Sequence, residues 1–188
     1  MRLFFAIELS PAVAESLHQA GGPLRALEPE LGWAAADKLH LTMKFLGDVD
    51  DVGAARLIEA ADDVARRHRP FEMTLGGVGA FPNFRRARVV WMEVESEPKL
   101  EWLHHDLEVA GGAVGFEVEG RPFRPHITLA RVRAPLTVER ARQFARAARR
   151  VAFAATSPVH GLTLFESTLA PAGARYRRVH TALLGGGC

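Results

Sequence analysis

The chain has 188 residues, of which 48% are hydrophobic and 24% charged, and its formal net charge is +2. A chain of this length buries about 70% of its unfolded surface, which together with the apolar fraction excludes a mainly disordered state. No stretch reaches the ~18 uncharged apolar residues of a membrane span, and the sole cysteine, Cys188, has no disulfide partner within the chain. We expect one cytoplasmic, monomeric globular protein.

Strands and helices alternate along the sequence. Apolar runs rich in β-formers predict the strands, and Ser10-Pro11, Asp50 and Pro98 mark helix starts. This mixture predicts an α+β fold. In chain order we predict strand Leu3–Leu9, a helix from Pro11 to about Leu27, strand Leu39–Leu46, a helix from Asp50 or Asp51 to about His68, strands Phe71–Gly79 and Arg88–Glu95, a helix from Pro98 to about Gly111, strand His126–Val132, a helix from Thr137 to Arg150, and strands near Leu162–Phe165 and Tyr176–Leu184.

The chain also repeats itself at an offset of about 86 residues. Arg2-Leu-Phe-Phe-Ala lies over Arg88-Val-Val-Trp-Met, and His40-Leu-Thr-Met lies over His126-Ile-Thr-Leu. Helical positions match in the same order between these segments. The repeat predicts two similar lobes, each an antiparallel sheet with flanking helices, related by a pseudo-twofold axis around a central cleft. Residues 1–188 would then form a single bilobal domain without a separate linker.

The duplicated His-x-Thr segments carry the chemistry. Side chains alternate in a strand, so His40 and Thr42 share one face, about 7 Å apart, and His126 and Thr128 do the same. A single histidine on a half-buried strand is usually structural, but the duplication favours a functional role. Imidazole titrates near pH 6.5, so two rings can serve as general acid and general base at neutral pH.

These paired motifs resemble the signature of the 2H phosphoesterase superfamily. Their surroundings are similar to the bacterial and archaeal RNA 2′,3′-cyclic phosphodiesterase family, also called 2′-5′ RNA ligases, and the resemblance spans nearly the whole chain. The segments that carry it are Arg2-Leu-Phe-Phe-Ala, His40-Leu-Thr-Met-Lys-Phe-Leu-Gly, Gly79-Ala-Phe-Pro and Pro122-Phe-Arg-Pro-His-Ile-Thr-Leu-Ala-Arg.

The resemblance implies an enzyme that opens a terminal 2′,3′-cyclic phosphate of RNA to a 2′-phosphate, without metal or other cofactor. Its partners would be RNA ends or tRNA halves, and no membrane. By position in the motifs, His40 would be the proton donor to the departing 3′ oxygen and His126 the proton acceptor that activates water. Thr42, Thr128 and Arg131 would bind phosphate oxygens.

Four further residues are candidate substrate contacts: Phe45, Phe84, Arg124 and Tyr176. Strict strand alternation places Phe45 in the core, and it turns Arg131 away from the cleft unless the strand twists, bulges or ends by Ala130. The structural alternatives are that Phe84 folds back onto the sheet and that Tyr176 lies on a surface strand.

Charge is distributed unevenly. Residues 1–120 have a net charge of −8, whereas residues 121–188 have a net charge of +10, contributed entirely by arginine on the basic side. A solvated helix face is one interpretation of this excess and would cover most of these residues. The alternative interpretation is an anionic ligand, such as a phosphate, that approaches from the C-terminal side.

Three alternatives to the main hypothesis remain. The same acid and base could join RNA ends in the reverse, 2′-5′ ligation reaction, or act on small nucleoside cyclic phosphates. A metallohydrolase is disfavoured because no carboxylates stand at suitable spacing from the two histidines. The sequence does not choose among RNA fragments, tRNA halves and small cyclic phosphates as substrate.

Overall fold

Nine antiparallel strands form one continuous sheet in the computed structural model, which describes residues 1–170 and 173–185. Cys188 lies outside the described residues. The strands are β1 (Arg2–Glu8), β2 (Gly32–Trp33), β3 (His40–Asp48), β4 (Phe71–Phe81), β5 (Val89–Val94), β6 (His126–Arg131), β7 (Ala154–Val159), β8 (Gly161–Ala170) and β9 (Gly173–Leu183). The helices of the described residues are α1 (Pro11–Ala20), α2 (Gly22–Leu27), α3 (Asp51–Arg67), α4 (Pro98–Ala113) and α5 (Val138–Ala148).

The order of the strands in the sheet shows the pseudo-twofold relation between the two repeats. The sheet runs β7-β4-β5-β6-β3-β1-β8-β9, with β2 attached to β6. At its centre β3 meets β6 through one antiparallel pair, Leu41 opposite Ile127, and these residues are separated by the repeat offset. The pseudo-twofold axis passes through this pair, and β1 and β5 lie outside it in equivalent places. The α+β fold with two similar lobes is confirmed.

The register of the flanking strands corrects one detail of the repeat. Glu8 faces His40 across β1 and β3, and Glu93 faces His126 across β5 and β6. The equivalent residues of β1 and β5 are thus 85 apart, not 86. The overlay of Arg2 on Arg88 was wrong by one residue, because a loop of different length precedes the motif strand in each repeat.

Helices of each repeat pack against elements of the other repeat. Helix α1 follows β1 but contacts β7 in the other half, and α4 follows β5 but contacts β3 and α3. Helix α5 packs against α2 and β4. The first helix of each repeat therefore covers the other repeat's half of the sheet, which favours a single bilobal domain. That division of the chain remains a prediction from the repeat.

The structure differs from the sequence prediction in the first helix and in strand β7. The long helix predicted to Leu27 breaks at Gly21, because Pro23 lacks the N–H that would continue the helical hydrogen bonds and instead opens α2. Strand β7 was missed, since Pro158 and alanines are poor strand signals. Pro158 is tolerated there because β7 lies at the edge of the sheet.

A buried ion pair ties β3 to α4. Lys44 is 4% exposed, and its Nζ donates to Glu108 Oε2 at 2.6 Å and to the Glu117 carbonyl at 2.6 Å. The Glu119 N–H donates to the same Glu108 oxygen at 3.0 Å. Gly111 leaves room for the lysine, since a Cβ there would lie 2.9 Å from Lys44 Cε. The pair therefore anchors the segment that leads into β6.

We predict that Glu108→Gln lowers the free energy of unfolding by about 3–5 kcal/mol, because it leaves the buried Lys44 ammonium without its counter-charge. Urea unfolding measures the loss. Glu59→Gln, at an exposed position on α3, is the matched control and should change stability by less than about 0.5 kcal/mol. A loss in Glu108→Gln no larger than that of the control would contradict the role assigned to the pair.

Candidate active site

The two motif strands present their polar residues to the same face of the sheet. Leu41 and Ile127 are fully buried, and the histidine and threonine on either side of each are partly exposed. Continuing the central antiparallel register by one residue sets His40 across from Thr128. The same step sets Thr42 across from His126. The fold therefore brings these four predicted site residues together where the lobes meet.

Both histidines are oriented by the same backbone contact. His40 Nδ1 is 2.8 Å from the Lys38 carbonyl, and His126 Nδ1 is 2.7 Å from the Arg124 carbonyl. A carbonyl oxygen only accepts, so Nδ1 carries the proton and the lone pair of each neutral ring lies on Nε2. Lys38 and Arg124 are separated by the repeat offset of 86 residues. The repeat alone could therefore have predicted that equivalent carbonyls orient the two histidines.

A bulge recurs in both motif strands and changes which residues face the cleft. The register shifts at Met43 in β3 and at Leu129 in β6, so two consecutive residues face the core in each strand. Phe45 is consequently 72% exposed, and Arg131 is exposed as well. The placement of Phe45 in the core by strict alternation was wrong. The bulge in β6 is one of the conditions under which the Arg131 side chain could face the cleft.

An aromatic cluster surrounds His40. The ring centroids of Phe4 and Tyr176 lie 5.1 and 5.3 Å from the imidazole, and Phe165 lies at 6.3 Å. Phe45 lies 6.1 Å from Phe4. Tyr176 is 37% exposed, and its ring lies beside the candidate acid. The sequence did not indicate Phe4 and Phe165 as neighbours of the site, because apolar residues in predicted strands are expected in the hydrophobic core.

The surroundings of His126 are different. Phe81 packs edge-on at 5.0 Å, and Trp91 lies at 6.2 Å. Phe84 instead packs on Phe144 of α5 at 6.3 Å and joins the hydrophobic core. The assignment of Phe84 as a substrate contact is therefore not supported, because its ring is committed to the helix. The side chain of Arg124 is exposed, and its carbonyl orients the histidine.

Comparison with known proteins now identifies the family. A sequence model described as the 2′-5′ RNA ligase superfamily matches residues 8–170. The chain belongs to this superfamily. The RNA 2′,3′-cyclic phosphodiesterase of Thermus thermophilus is 34% identical over 183 residues, covering 94% of this chain and 86% of the relative. The protein of that name from Methanothermobacter thermautotrophicus is 32% identical over 135 residues, covering 72% of this chain and 73% of the relative.

Solved structures of the superfamily share the fold. The crystal structure of TT0787 of Thermus thermophilus aligns with a TM-score of 0.81 and 31% identity over 99% of both chains. Escherichia coli LigT complexed with 3′-AMP aligns with a TM-score of 0.73 and 30% identity over 97% of both chains. The resemblance inferred from the motifs is confirmed at the level of the family and the fold.

The described residues contain no cluster of three or more His, Cys, Asp or Glu side chains placed to hold a metal ion. Two imidazoles and two threonine hydroxyls are the functional groups that converge. In the same part of the chain, no helix combines the length and apolar character needed to cross a bilayer.

Burial and neighbouring charges act on the pKa of His40. Burial lowers the pKa of His40, and the hydrogen bond to Lys38 and the negative charge of Glu8 oppose this effect. The positive charge of Arg131 lowers the same pKa further. Glu8 is itself fixed by Arg178, whose Nη2 donates at 2.6 Å. Glu8 was missed because a single charge in an apolar strand carries no motif.

We predict that His40 titrates below pH 6.5 in the free protein, and that Glu8→Gln lowers its pKa further by removing the charge that favours the imidazolium. Histidine ¹⁵N or C–H shifts followed against pH by NMR measure both values. Glu93→Gln is the matched control, since it changes the cross-strand glutamate of the other motif and should leave the His40 titration in place. An unchanged His40 pKa in Glu8→Gln would show that the glutamate does not act on the ring.

Proposed function

We propose that this protein hydrolyses the terminal 2′,3′-cyclic phosphate of RNA to a 2′-phosphomonoester by general acid–base catalysis between His40 and His126. The observation that carries the proposal is the repeated Nδ1–carbonyl bond, which leaves Nε2 of both rings available for proton transfer at one site. The names of the relatives support the substrate. RNA fragments and tRNA halves are the substrate class that we infer.

The reaction follows from these positions. His126 Nε2 accepts a proton from water, and the water oxygen forms a bond to phosphorus. The bond from phosphorus to O3′ breaks on the opposite side, and protonated His40 gives its Nε2 proton to O3′. The products are a 2′-phosphate and a 3′-hydroxyl. An acid and a base each contribute roughly 10²–10⁴ in rate.

The hydroxyls of Thr42 and Thr128 and the guanidinium of Arg131 would hold the non-bridging phosphate oxygens. Charge accumulates on these oxygens as the water attacks, and preorganised donors stabilise it. Arginine suits this role because its planar fork donates to two oxygens at once. The bulge in β6, which turns Arg131 out of the core, is the local feature that makes the contact available.

The lowered pKa of His40 has a consequence for this mechanism. The acid must be protonated, and activity is lost as pH rises through its pKa. A lowered pKa therefore moves the alkaline limb of kcat/KM to lower pH in the free protein. The negative charge of a bound phosphate favours the imidazolium, so the alkaline limb of kcat lies at higher pH than that of kcat/KM.

The exposed ring of Phe45, together with Tyr176, would contact the nucleobase of the terminal nucleotide. The two rings flank Phe4 at centroid distances of 6.1 and 5.2 Å. Stacking on an aromatic side chain tolerates every base, which suits a substrate defined by its cyclic end rather than by its sequence.

The reverse reaction, 2′-5′ ligation, is a second candidate, and the description of the matching superfamily favours it. The same acid and base would act in the opposite direction. Excess water favours hydrolysis unless two RNA ends are held together. Incubation of cleaved tRNA with the protein, followed by analysis for joined product, separates the two functions.

We predict that His40→Ala and His126→Ala each lower the hydrolysis rate by at least about 100-fold, because each removes one proton-transfer group. Release of the 2′-phosphate product from a nucleoside 2′,3′-cyclic phosphate measures the rate. His105→Ala changes an exposed histidine of α4 and should keep full activity. Wild-type activity should persist in excess chelator. Full activity in either motif variant would refute the mechanism.

We predict that Phe45→Ala raises KM for a nucleoside 2′,3′-cyclic phosphate about 5- to 150-fold, from the loss of roughly 1–3 kcal/mol of stacking. The same variant should leave KM unchanged for ribose 2′,3′-cyclic phosphate, which has no base. Steady-state kinetics with both substrates test the contact. An equal effect on the two substrates would place Phe45 outside the base site.

A further inference from the structure

A groove outside the catalytic cleft lies between α5 and the turn Phe84–Arg86. It has a volume of about 410 Å³. Asn83 holds the turn by accepting the Arg86 N–H at 3.1 Å, and Phe84 anchors the turn on Phe144 of α5. The lining residues are Asn83, Phe84, Arg85, Ala141, Arg142, Ala145, Arg146 and Arg149.

The charge of this groove is of one sign. Its four arginines are exposed, and it is lined by no carboxylate among the described residues. In that part of the chain, Arg85, Arg142 and Arg149 have no acidic side chain within 4 Å, and Arg146 has only the exposed Glu139 at 3.8 Å. A concave surface lined by unneutralised arginines attracts anions, and its walls strengthen the field.

The turn on one side of the groove is joined by backbone hydrogen bonds to the strands that border the catalytic cleft. The turn begins shortly after Phe81, whose ring contacts His126. The Arg88 N–H donates to the Phe81 carbonyl at 2.8 Å, and the Val132 N–H donates to the Arg88 carbonyl at 2.9 Å. The turn is thereby fixed beside the end of β6, where Arg131 emerges. Arg85 lies at most about 14 Å along the chain from Phe81.

We propose that this groove binds the phosphodiester backbone of the RNA strand whose cyclic end occupies the catalytic cleft. The inference rests on the proposed function, because that function supplies an RNA end to the neighbouring cleft. The path would run from Arg131 past Arg88 to the arginines of the groove.

The residues that line the groove favour contacts with the RNA backbone over contacts with the bases. Ala141 and Ala145 form a smooth floor, and Phe84, the aromatic ring of the groove, is packed against Phe144. This packing leaves Phe84 only partly exposed, whereas the four arginines of the groove are exposed. Arginine contacts to phosphate oxygens carry no sequence information. The groove is expected to increase affinity for longer RNA without preference for sequence.

The test compares two double variants that remove the same charge. Arg142→Gln/Arg149→Gln alters the groove. Arg56→Gln/Arg69→Gln alters the other lobe, where Arg56 of α3 occupies the repeat position equivalent to Arg142 and both arginines are exposed. Fluorescence anisotropy measures binding of a labelled RNA of about 12 nucleotides with a 3′-hydroxyl, and kinetics measure hydrolysis of a nucleoside 2′,3′-cyclic phosphate.

In the groove variant, the slope of log affinity against log salt should fall by about 1.4, since each single-strand phosphate contact contributes about 0.7. The advantage of wild type over this variant should then shrink about sevenfold between roughly 50 and 200 mM salt. Hydrolysis of the mononucleotide, which does not reach the groove, should stay within about twofold of wild type, which also shows that the variant folds.

Equal loss of RNA binding in the two double variants would overturn the proposal, because net charge would then explain the effect. Equal loss of mononucleotide hydrolysis and RNA binding in the groove variant would also overturn it. Failure of the proposed function is distinguishable. In that case wild type would hydrolyse no cyclic phosphate, whereas the binding measurement needs no catalysis and would still report on the groove.

Discussion

The geometry of the candidate site depends on a single antiparallel contact, Leu41 opposite Ile127, where the two halves of the sheet meet. Strand side chains alternate with a period of two, so this register places a histidine and a threonine on each side of the pair and on the same face. A shift of one residue would bury the histidines and expose the leucine and isoleucine. The hydrophobic core therefore fixes the position of the proposed catalytic groups.

The fold uses a symmetric frame for asymmetric roles. The same bulge in β3 and β6 turns out Phe45 in one lobe and Arg131 in the other. One side chain offers an aromatic surface beside the cleft and the other a positive charge. The cross-strand glutamates differ as well, since Glu8 is bound by Arg178 whereas Glu93 is exposed. Small changes at equivalent positions thus give each histidine its own environment.

The sequence was sufficient for the features that depend on local pattern. The duplicated His-x-Thr segments predicted the paired strands, the lobes and the residues that converge. It was insufficient where tertiary contacts override that pattern: alternation placed Phe45 in the core because a bulge leaves no local signal, and Phe84 looked available because its packing on Phe144 joins elements far apart in the chain. Pro158 concealed an edge strand for a similar reason, since its place in the sheet is not encoded nearby.

The central claim is that Nε2 of both histidines faces one phosphate. Titration of ¹⁵N-histidine-labelled protein with adenosine 2′-monophosphate, followed by NMR, tests it most directly. In the free protein, the neutral form of both rings should carry its proton on Nδ1. On addition of the nucleotide, the Nε2 resonances of His40 and His126 should shift together, with one dissociation constant. A response confined to one ring, or a proton on Nε2 of either neutral ring, would contradict it.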